Sequence, residues 1–150
     1  MASIITTVAD AVVTELNSAA EGTFSMAFTA QRAYLPIFDL KDMADLHVTV
    51  VPKGVSTEAS SRSTSQEEYQ IDVAVQQKVA SLEPVSIDPL MALVQEIVDF
   101  WRLRRVTIGA VPAACVKAVN LPVYAPEHLS QMNQFTSIVT LSFRMVRQWQ

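Results

Sequence analysis

The last stretch of the chain, residues 134–149, constrains the fold more than any other segment. It reads Gln-Phe-Thr-Ser-Ile-Val-Thr-Leu-Ser-Phe-Arg-Met-Val-Arg-Gln-Trp. In a β-strand successive side chains point to opposite faces, so this stretch has one almost wholly apolar face and one mixed face. The first face comprises Phe135, Ser137, Val139, Leu141, Phe143 and Met145, and the second comprises Thr136, Ile138, Thr140, Ser142, Arg144 and Val146. Because a long strand needs partners for its backbone groups, we expect a sheet strand whose second face another molecule covers.

The chain is more apolar than an ordinary soluble domain. Half of its 150 residues are hydrophobic and only 17% are charged, against about 25% in typical domains. No run reaches the roughly 18 apolar residues of a membrane span, and Asp10 and Glu15 stand where a secretory signal would be basic or apolar. We therefore expect one domain over residues 1–150, with no membrane segment. The apolar excess favours contacts between subunits, and a monomer with a generous core is the alternative.

Two amphipathic helices are expected. The first begins at Ser3 or Thr6, runs to about residue 20 and is ended by Gly22. The second begins with Asp88 as its N-cap and Pro89 in its first position, and runs to about residue 103. Their apolar stripes are Ile5, Val8, Val12, Leu16 and Ala19 in the first helix, and Leu90, Val94, Ile97, Val98 and Trp101 in the second.

Alternating apolar and polar residues predict the strands. These strands cover residues 23–32, 46–51 with a bent extension at 55–59, 68–79, 113–119 and 134–149. The second and third strands are expected to pair as a long hairpin whose tip is the polar loop 60–66. Residues 122–132 are expected to form a loop with at most one helical turn. The result is an α+β fold in the order α-β-β-β-α-β-β, with two helices covering one face of a mainly antiparallel sheet.

Charge is distributed unevenly along the chain. Residues 1–100 contain fourteen acidic and five basic residues, whereas residues 101–150 contain one acidic residue and six basic ones. Such asymmetry suits head-to-tail contact between identical subunits, while a net charge of −4 argues against general nucleic-acid binding. The candidate interface residues on the basic side are Arg102, Arg104, Arg105, Arg144 and Arg147. A solvated helix end, where cations are favoured, is the alternative for the first three.

A second candidate cluster lies in residues 32–45, where Asp39, Asp42 and Asp45 follow Arg32. Carboxylates spaced by three could hold a hard cation, but the glycine and glutamate of a calcium loop are absent. We favour a capping role for Asp39 and a solvated Asp42, with Arg32 as a partner of one of these carboxylates. Arg32, Asp39 and Asp42 therefore join the candidate interface, and no metal is assigned.

No pattern of catalytic or cofactor-binding residues is present. Cys115 has apolar neighbours and no nearby histidine, which favours a buried thiol over a nucleophile. His47 and His128 lack zinc-site spacing, and three glycines are too few for a phosphate cradle. We expect no enzyme activity and no cofactor. Two alternatives stay open: a small metal-dependent hydrolase that uses Asp39, Asp42 or Asp72, and a cytosolic protein-binding module.

The layout resembles the small neck proteins of tailed bacteriophages, namely the head–tail joining, tail-completion and tail-terminator proteins. Four segments carry the likeness. They are the amphipathic helix at residues 6–16, the turn and strand at 32–52, the alternating strand 69–75 followed by the Asp88 helix, and residues 122–129 leading into the strand 135–144.

The resemblance implies an α+β subunit without catalytic residues. It implies a homo-oligomer, a hexameric ring, that caps the tail tube and contacts neck or adaptor proteins, and through which DNA passes without specific binding. It also implies assembly in the host cytoplasm and a final place in the tail or neck of the virion. The hairpin at residues 46–79 would contact the tube or the adaptor ring.

Overall fold

The computed structural model describes residues 3–35 and 44–148, which form three helices and a six-stranded sheet. In chain order these elements are α1 (Ile4–Asn17), β1 (Ala30–Arg32), β2 (His47–Ala59), β3 (Thr64–Lys78), α2 (Pro84–Trp101), β4 (Arg105–Ile108), β5 (Val111–Val119), α3 (Pro126–Met132) and β6 (Gln134–Gln148). The candidate residues Asp39 and Asp42 lie outside the described residues, as does most of the expected turn that contains them.

The C-terminal strand lies inside the sheet rather than at its edge. The strand order is β1-β2-β3-β6-β5-β4. Strand β6 pairs with β3 along its whole length, from Gln134 opposite Lys78 to Gln148 opposite Thr64. Strand β1 pairs with β2 in parallel, and the other pairs in this order are antiparallel. The expectation that residues 134–149 form a long sheet strand is therefore confirmed through Gln148.

The sheet curls around α1. This helix contacts β1 and β2 near one edge and β4 at the opposite edge. A helix about 10 Å wide can reach both edges of a sheet about 24 Å across only if the sheet bends around it. One ion pair holds α1 on each side. Asp10 pairs with Arg32 of β1 at 2.6 Å, and Glu15 pairs with Arg104, just before β4, at 3.2 Å. We call the surface that contacts α1 and α2 the inner face, and the opposite surface the outer face.

The inner face of the sheet and the two long helices form the core. Side chains of β6 alternate as expected, because Phe135, Val139, Leu141 and Phe143 are fully buried whereas Ile138 is exposed. Spacing of four residues gives α1 its buried stripe, Val8, Val12 and Leu16, and the Ser3 side chain caps the first turn. Trp101 of α2 meets Phe143 edge to face, with ring centroids 5.5 Å apart.

The expected α+β order, α-β-β-β-α-β-β with two helices, is wrong. The described residues contain a third helix, α3, and an additional strand, β4, and the sheet is mixed because β1 runs parallel to β2. Strand β4 was missed because it has four residues and follows α2 closely, with Leu103 at φ 57° ending the helix. Helix α3 exceeds the single helical turn expected in residues 122–132, and its sequence signal is weak because no side chain caps its N-terminus and none of its residues is buried.

The expected strand at residues 23–32 is reduced to the three residues of β1. Phe24 and Phe28 do alternate with polar residues, but the Phe24 ring packs at a tilt against Phe28 and against Phe100 of α2, with centroid distances of 5.1 and 5.3 Å. Side chains rather than a neighbouring strand bind the backbone there, since Glu96 accepts a hydrogen bond from the Ser25 N–H at 2.9 Å. The apolar alternation therefore reflects packing against α2 and not a ladder.

Helix α2 begins one turn before the expected Asp88 N-cap, at Pro84, and ends at Trp101. Pro84 supplies the fixed φ angle that favours a helix start, which leaves Pro89 inside the helix. The expected placement of three arginines at the helix end is also corrected. Arg102 is the C-cap residue, Arg104 lies in the following turn, and Arg105 begins β4.

The expected long hairpin is confirmed. Strand β2 pairs with β3 from His47 opposite Gln76 to Ala59 opposite Ser65, and the register shifts between Pro52 and Gly54. The tip is shorter than residues 60–66, because Thr64 already belongs to β3. Strands β2, β3 and β6 extend past the last paired residues of β1 and β5, and this end of the sheet, residues 55–69 and 145–148, is called the arm.

Candidate interaction surface

The segment between β5 and β6 covers one end of the outer face. The side chain of Asn120 donates hydrogen bonds to Ser137 Oγ and to the Ile138 carbonyl, both at 2.9 Å. The Ala125 N–H donates to the Thr136 carbonyl at 2.9 Å, and the His128 ring lies 2.7 Å from the Thr136 hydroxyl. These contacts hold residues 120–128 against the start of β6, so the segment is a fixed wall on the outer face.

Beside this wall is a groove of about 300 Å³ with a polar side and an apolar side. On the polar side the Thr140 hydroxyl donates to Asp72 at 2.6 Å, and Lys53 Nζ lies 3.3 Å from Thr140 Oγ1 and 3.8 Å from Asp72. On the apolar side the lining residues are Leu121, Pro122, Tyr124, Ala125 and Ile138. The register brings the polar residues together, because Asp72 of β3 lies opposite Thr140 of β6.

The polar side of the groove is a cluster of three side chains joined by hydrogen bonds and one ion pair. Asp72 accepts a hydrogen bond and faces the Lys53 ammonium group, so its charge is already compensated. Among residues 3–35 and 44–148, no three His, Cys, Asp or Glu side chains are placed to hold one metal ion. The hydrolase alternative named Asp39, Asp42 and Asp72, and of these only Asp72 lies within the described residues.

The apolar side of the groove continues as exposed apolar surface. Leu121 is 85% exposed, and Val123, Ile138 and Val119 are 43%, 40% and 36% exposed. We call these four residues the apolar strip. Tyr124 lines this groove and also a neighbouring cleft of about 370 Å³ between α2 and α3, where Leu82, Ile87 and Leu129 are found. The two cavities therefore share a wall, and apolar surface extends from β6 to the start of α2.

Most of the arginines proposed for an interface have an acidic partner within the chain. Arg32 pairs with Asp10, Arg102 with Asp99, Arg104 with Glu15, and Arg147 with the buried Glu67. Hydrogen bonds to Tyr34 and to Asp10 raise the pKa of Arg32. Arg32 therefore pairs with a carboxylate of α1, and of the expected partners Asp39, Asp42 and Asp45 the first two lie outside the described residues.

Arg105 and Arg144 differ from the other candidates. Both are exposed, and neither forms an ion pair with another described residue. Arg105 lies on β4, at one edge of the sheet, and Arg144 lies on the outer face of β6 opposite Glu68. The structure thus distributes the proposed basic residues over both edges and the arm, and does not gather them into one patch.

The residues of the apolar strip and Lys53 are not among the site residues expected from the sequence. The signal for the strip was present, since Leu121 and Val123 are apolar residues next to Pro122 in a segment otherwise expected to be a loop. Lys53 gave no such signal. Its position depends on the register shift between Pro52 and Gly54, which turns its ammonium group towards Asp72. Only the pairing of β2 with β3 reveals this contact.

Cys115 is buried, and this burial raises the pKa of its thiol. Its Sγ lies 3.7 Å from the Lys117 carbonyl. A protonated thiol beside a carbonyl is a poor nucleophile.

Comparison of the chain with known protein families and with curated protein sequences found no match. Among the described residues, no helix combines the length and apolar character that crossing a bilayer requires.

Proposed function

We propose that this protein is a non-enzymatic structural subunit of a tailed-bacteriophage neck or tail. In this role it acts as a tail terminator or head–tail joining protein and assembles into a ring, which we expect to be a hexamer. The ring caps the tail tube and connects it to neck or adaptor proteins, and DNA passes through its lumen without specific binding. Assembly takes place in the host cytoplasm, and the mature location is the virion.

The observation that carries the proposal is the apolar strip on the outer face. Leu121 is 85% exposed although the neighbouring residues 120 and 125 are fixed by hydrogen bonds to β6. When a partner covers an apolar side chain that is held rigidly in water, the free energy falls by about 25 cal/mol for each Å² removed from solvent. Rigid exposed apolar surface next to a groove is typical of an interaction site.

The layout of the chain supports the bacteriophage assignment. The four segments that carry the resemblance lie in α1, between the end of β1 and the first half of β2, in β3 with α2, and in the wall segment leading into β6, and residues 36–43 of the second lie outside the described residues. The groove supports a non-enzymatic role, because its carboxylate Asp72 is compensated by Lys53 and Thr140. The basic side chains of Arg105 and Arg144 are available for the acidic residues of a neighbouring subunit.

Native mass spectrometry of the purified chain at tens of micromolar tests this proposal. We expect one closed oligomer with a fixed number of copies, visible as a ring by negative-stain electron microscopy. A saturable one-to-one complex with another protein, without self-association, would favour the protein-binding alternative. A chain that stays monomeric alone and with isolated tail tubes would contradict the proposal.

A further inference from the structure

The arm has two strand edges whose backbone groups have no strand partner among residues 3–35 and 44–148. Strand β1 pairs with β2 only at residues 48–50, so from residue 53 onwards β3 is the one described strand that β2 pairs with. Strand β5 pairs with β6 only up to Arg144, which leaves residues 145–148 with β3 alone. No described residue donates or accepts a backbone hydrogen bond at either of these edges.

Hydrogen bonds at both ends of β2 show which of its groups point outwards. The Val50 carbonyl accepts a hydrogen bond from the Ala33 N–H at 3.0 Å, so the backbone N–H and C=O of residue 50 point away from β3. The Ser60 N–H donates to the Thr64 carbonyl at 3.1 Å, so residue 60 points towards β3. In an antiparallel pair the backbone groups of successive residues point alternately towards and away from the partner strand. Even-numbered residues of β2 point away from β3 up to Pro52, and the register shift there makes odd-numbered residues point away after it. The outward groups on the arm therefore belong to Val55, Thr57 and Ala59.

Hydrogen bonds near the start of β6 likewise show which of its backbone groups point away from β3. The carbonyls of Thr136 and Ile138 accept hydrogen bonds from Ala125 and Asn120, which lie on the side away from β3. Even-numbered residues of β6 thus point away from β3. Strand β5 and the wall segment occupy that side up to Arg144. The outward groups left uncovered on this edge belong to Val146 and Gln148.

The two free edges are complementary. Strands β2 and β6 are both antiparallel to β3, so they run in the same direction on opposite sides of the arm. When two copies lie side by side, β6 of one copy meets β2 of the next in parallel. In a parallel ladder the N–H and C=O of one residue bond to the two residues that flank its opposite residue on the neighbouring strand. The residue opposite Val146 is then either Ser56 or Glu58. These three residues all belong to the outer face, so both faces continue across the junction.

Charge and edge chemistry favour the same pairing. Glu58 is the one charged residue in segment 54–59, and on the same outer face Arg144 of β6 forms no ion pair with another described residue. Opposite charges on adjoining strands are favourable. Pro52 lacks an N–H and the register shift at Lys53 distorts the strand, which blocks strand addition nearer the body of the sheet. The free part of the edge is therefore confined to the arm.

We propose that the free β2 edge, residues 55–59, binds the free β6 edge, residues 145–148, of a second copy of this chain as a parallel strand. The contact joins two different surfaces, so its repetition closes into a ring when the rotation per subunit permits. This inference rests on the proposed function and specifies how the ring is joined. Each junction forms three or four backbone hydrogen bonds in the two registers that keep the faces continuous, with Val146 opposite Ser56 or opposite Glu58.

Disulfide trapping tests the contact, in a Cys115→Ala background that leaves no native thiol. We expect Ser56→Cys with Val146→Cys, or Glu58→Cys with Val146→Cys, to give covalent dimers and higher multimers on mild oxidation. Opposite residues in a sheet have Cα atoms close enough for a disulfide, which needs about 4.4–6.8 Å. The matched control is Thr57→Cys with Val146→Cys, whose thiols lie on opposite faces and should not cross-link.

A second variant keeps the test independent of thiol chemistry. The Thr57 N–H points away from β3, so Thr57→Pro removes a donor from the free edge without breaking the β2–β3 ladder. We expect Thr57→Pro to lose the oligomer in native mass spectrometry, while Thr57→Ala keeps it. An oligomer that survives Thr57→Pro and cross-links at neither outer-face pair would overturn this contact and leave the proposed function intact. A wild-type chain that stays monomeric alone and with isolated tail tubes would overturn both, and would leave the edge to an extended peptide of another protein.

Discussion

Arg104 Nη1 lies 3.2 Å from Glu15 Oε2, and the same guanidinium group lies 3.7 Å from the centre of the Phe100 ring. Arg104 Nε also donates to the Phe100 carbonyl at 3.0 Å. One side chain thus joins α1, the end of α2 and the start of β4. This contact helps to hold the far edge of the curled sheet against the helix that it surrounds.

Arg104→Ala should destabilise the chain by about 1–2 kcal/mol. An ion pair between half-exposed groups contributes at most about 1 kcal/mol, and contact with an aromatic ring adds a similar amount. Urea unfolding followed by tryptophan fluorescence measures the change. Arg102→Ala is the matched control, because Arg102 is 74% exposed and pairs only with Asp99 of its own helix; it should change the free energy of unfolding by less than about 0.5 kcal/mol. Equal effects would contradict the joining role of Arg104.

Phe143→Ala should cost about 3–5 kcal/mol, because it leaves a cavity beneath Trp101 in the core. Val146→Ala is the control on the opposite face of the same strand, where the side chain is 54% exposed. It should change stability by less than about 0.5 kcal/mol. Denaturant midpoints of the two variants compare the faces directly. A large loss for Val146→Ala in the isolated monomer would show that the two faces of β6 are assigned wrongly.

The elements predicted correctly from the sequence are those whose pattern and packing agree. The alternation in residues 134–149 predicted both faces of β6, and the hairpin of β2 and β3 followed from alternation beside a Pro-Lys-Gly break. Phe24 and Phe28 show where alternation fails, since aromatic residues spaced by four can pack on a helix without entering a ladder. Arg105 shows a second limit, because nothing local separates the end of a helix from a four-residue strand that starts four residues later.

The candidate surface depends on contacts that are distant in sequence. Charge counting predicted an arginine-rich interface, but Arg32, Arg104 and Arg147 have partners 22, 89 and 80 residues away. No spacing rule reveals such pairs. The groove likewise requires Lys53, Asp72 and Thr140 from three strands, and their meeting depends on the register of the sheet.

The stability of the chain should fall at alkaline pH through Cys115. Burial raises the pKa of the folded thiol above the unfolded value of about 8.5. The stabilisation is therefore fully present below the unfolded pKa and is lost as pH rises through the folded pKa. The stability of wild type relative to Cys115→Ala should decrease between pH 8 and pH 10, measured by urea unfolding. A constant difference over that range would contradict the buried, protonated thiol.

Divalent cations should leave the melting temperature unchanged, because Asp72 is compensated by Lys53 and Thr140. Thr140→Val, which removes the hydroxyl but keeps the shape, should cost about 1 kcal/mol since it leaves the Asp72 carboxylate with one hydrogen bond fewer. Thermal unfolding with and without millimolar Mg²⁺ or Mn²⁺ is the measurement. A cation-dependent rise that disappears in Asp72→Ala would instead favour the hydrolase alternative.

Identical copies should cover the apolar strip, and sedimentation velocity of matched variants measures whether they do. Leu121→Lys places a charge in the strip, whereas Leu103→Lys places one at another apolar side chain that is 73% exposed, after α2. We expect wild type and Leu103→Lys to sediment as the same oligomer and Leu121→Lys as a monomer of 16.5 kDa. A wild type that stays monomeric alone and with isolated tail tubes, or an oligomer that Leu121→Lys leaves intact, would show that identical copies do not cover the strip.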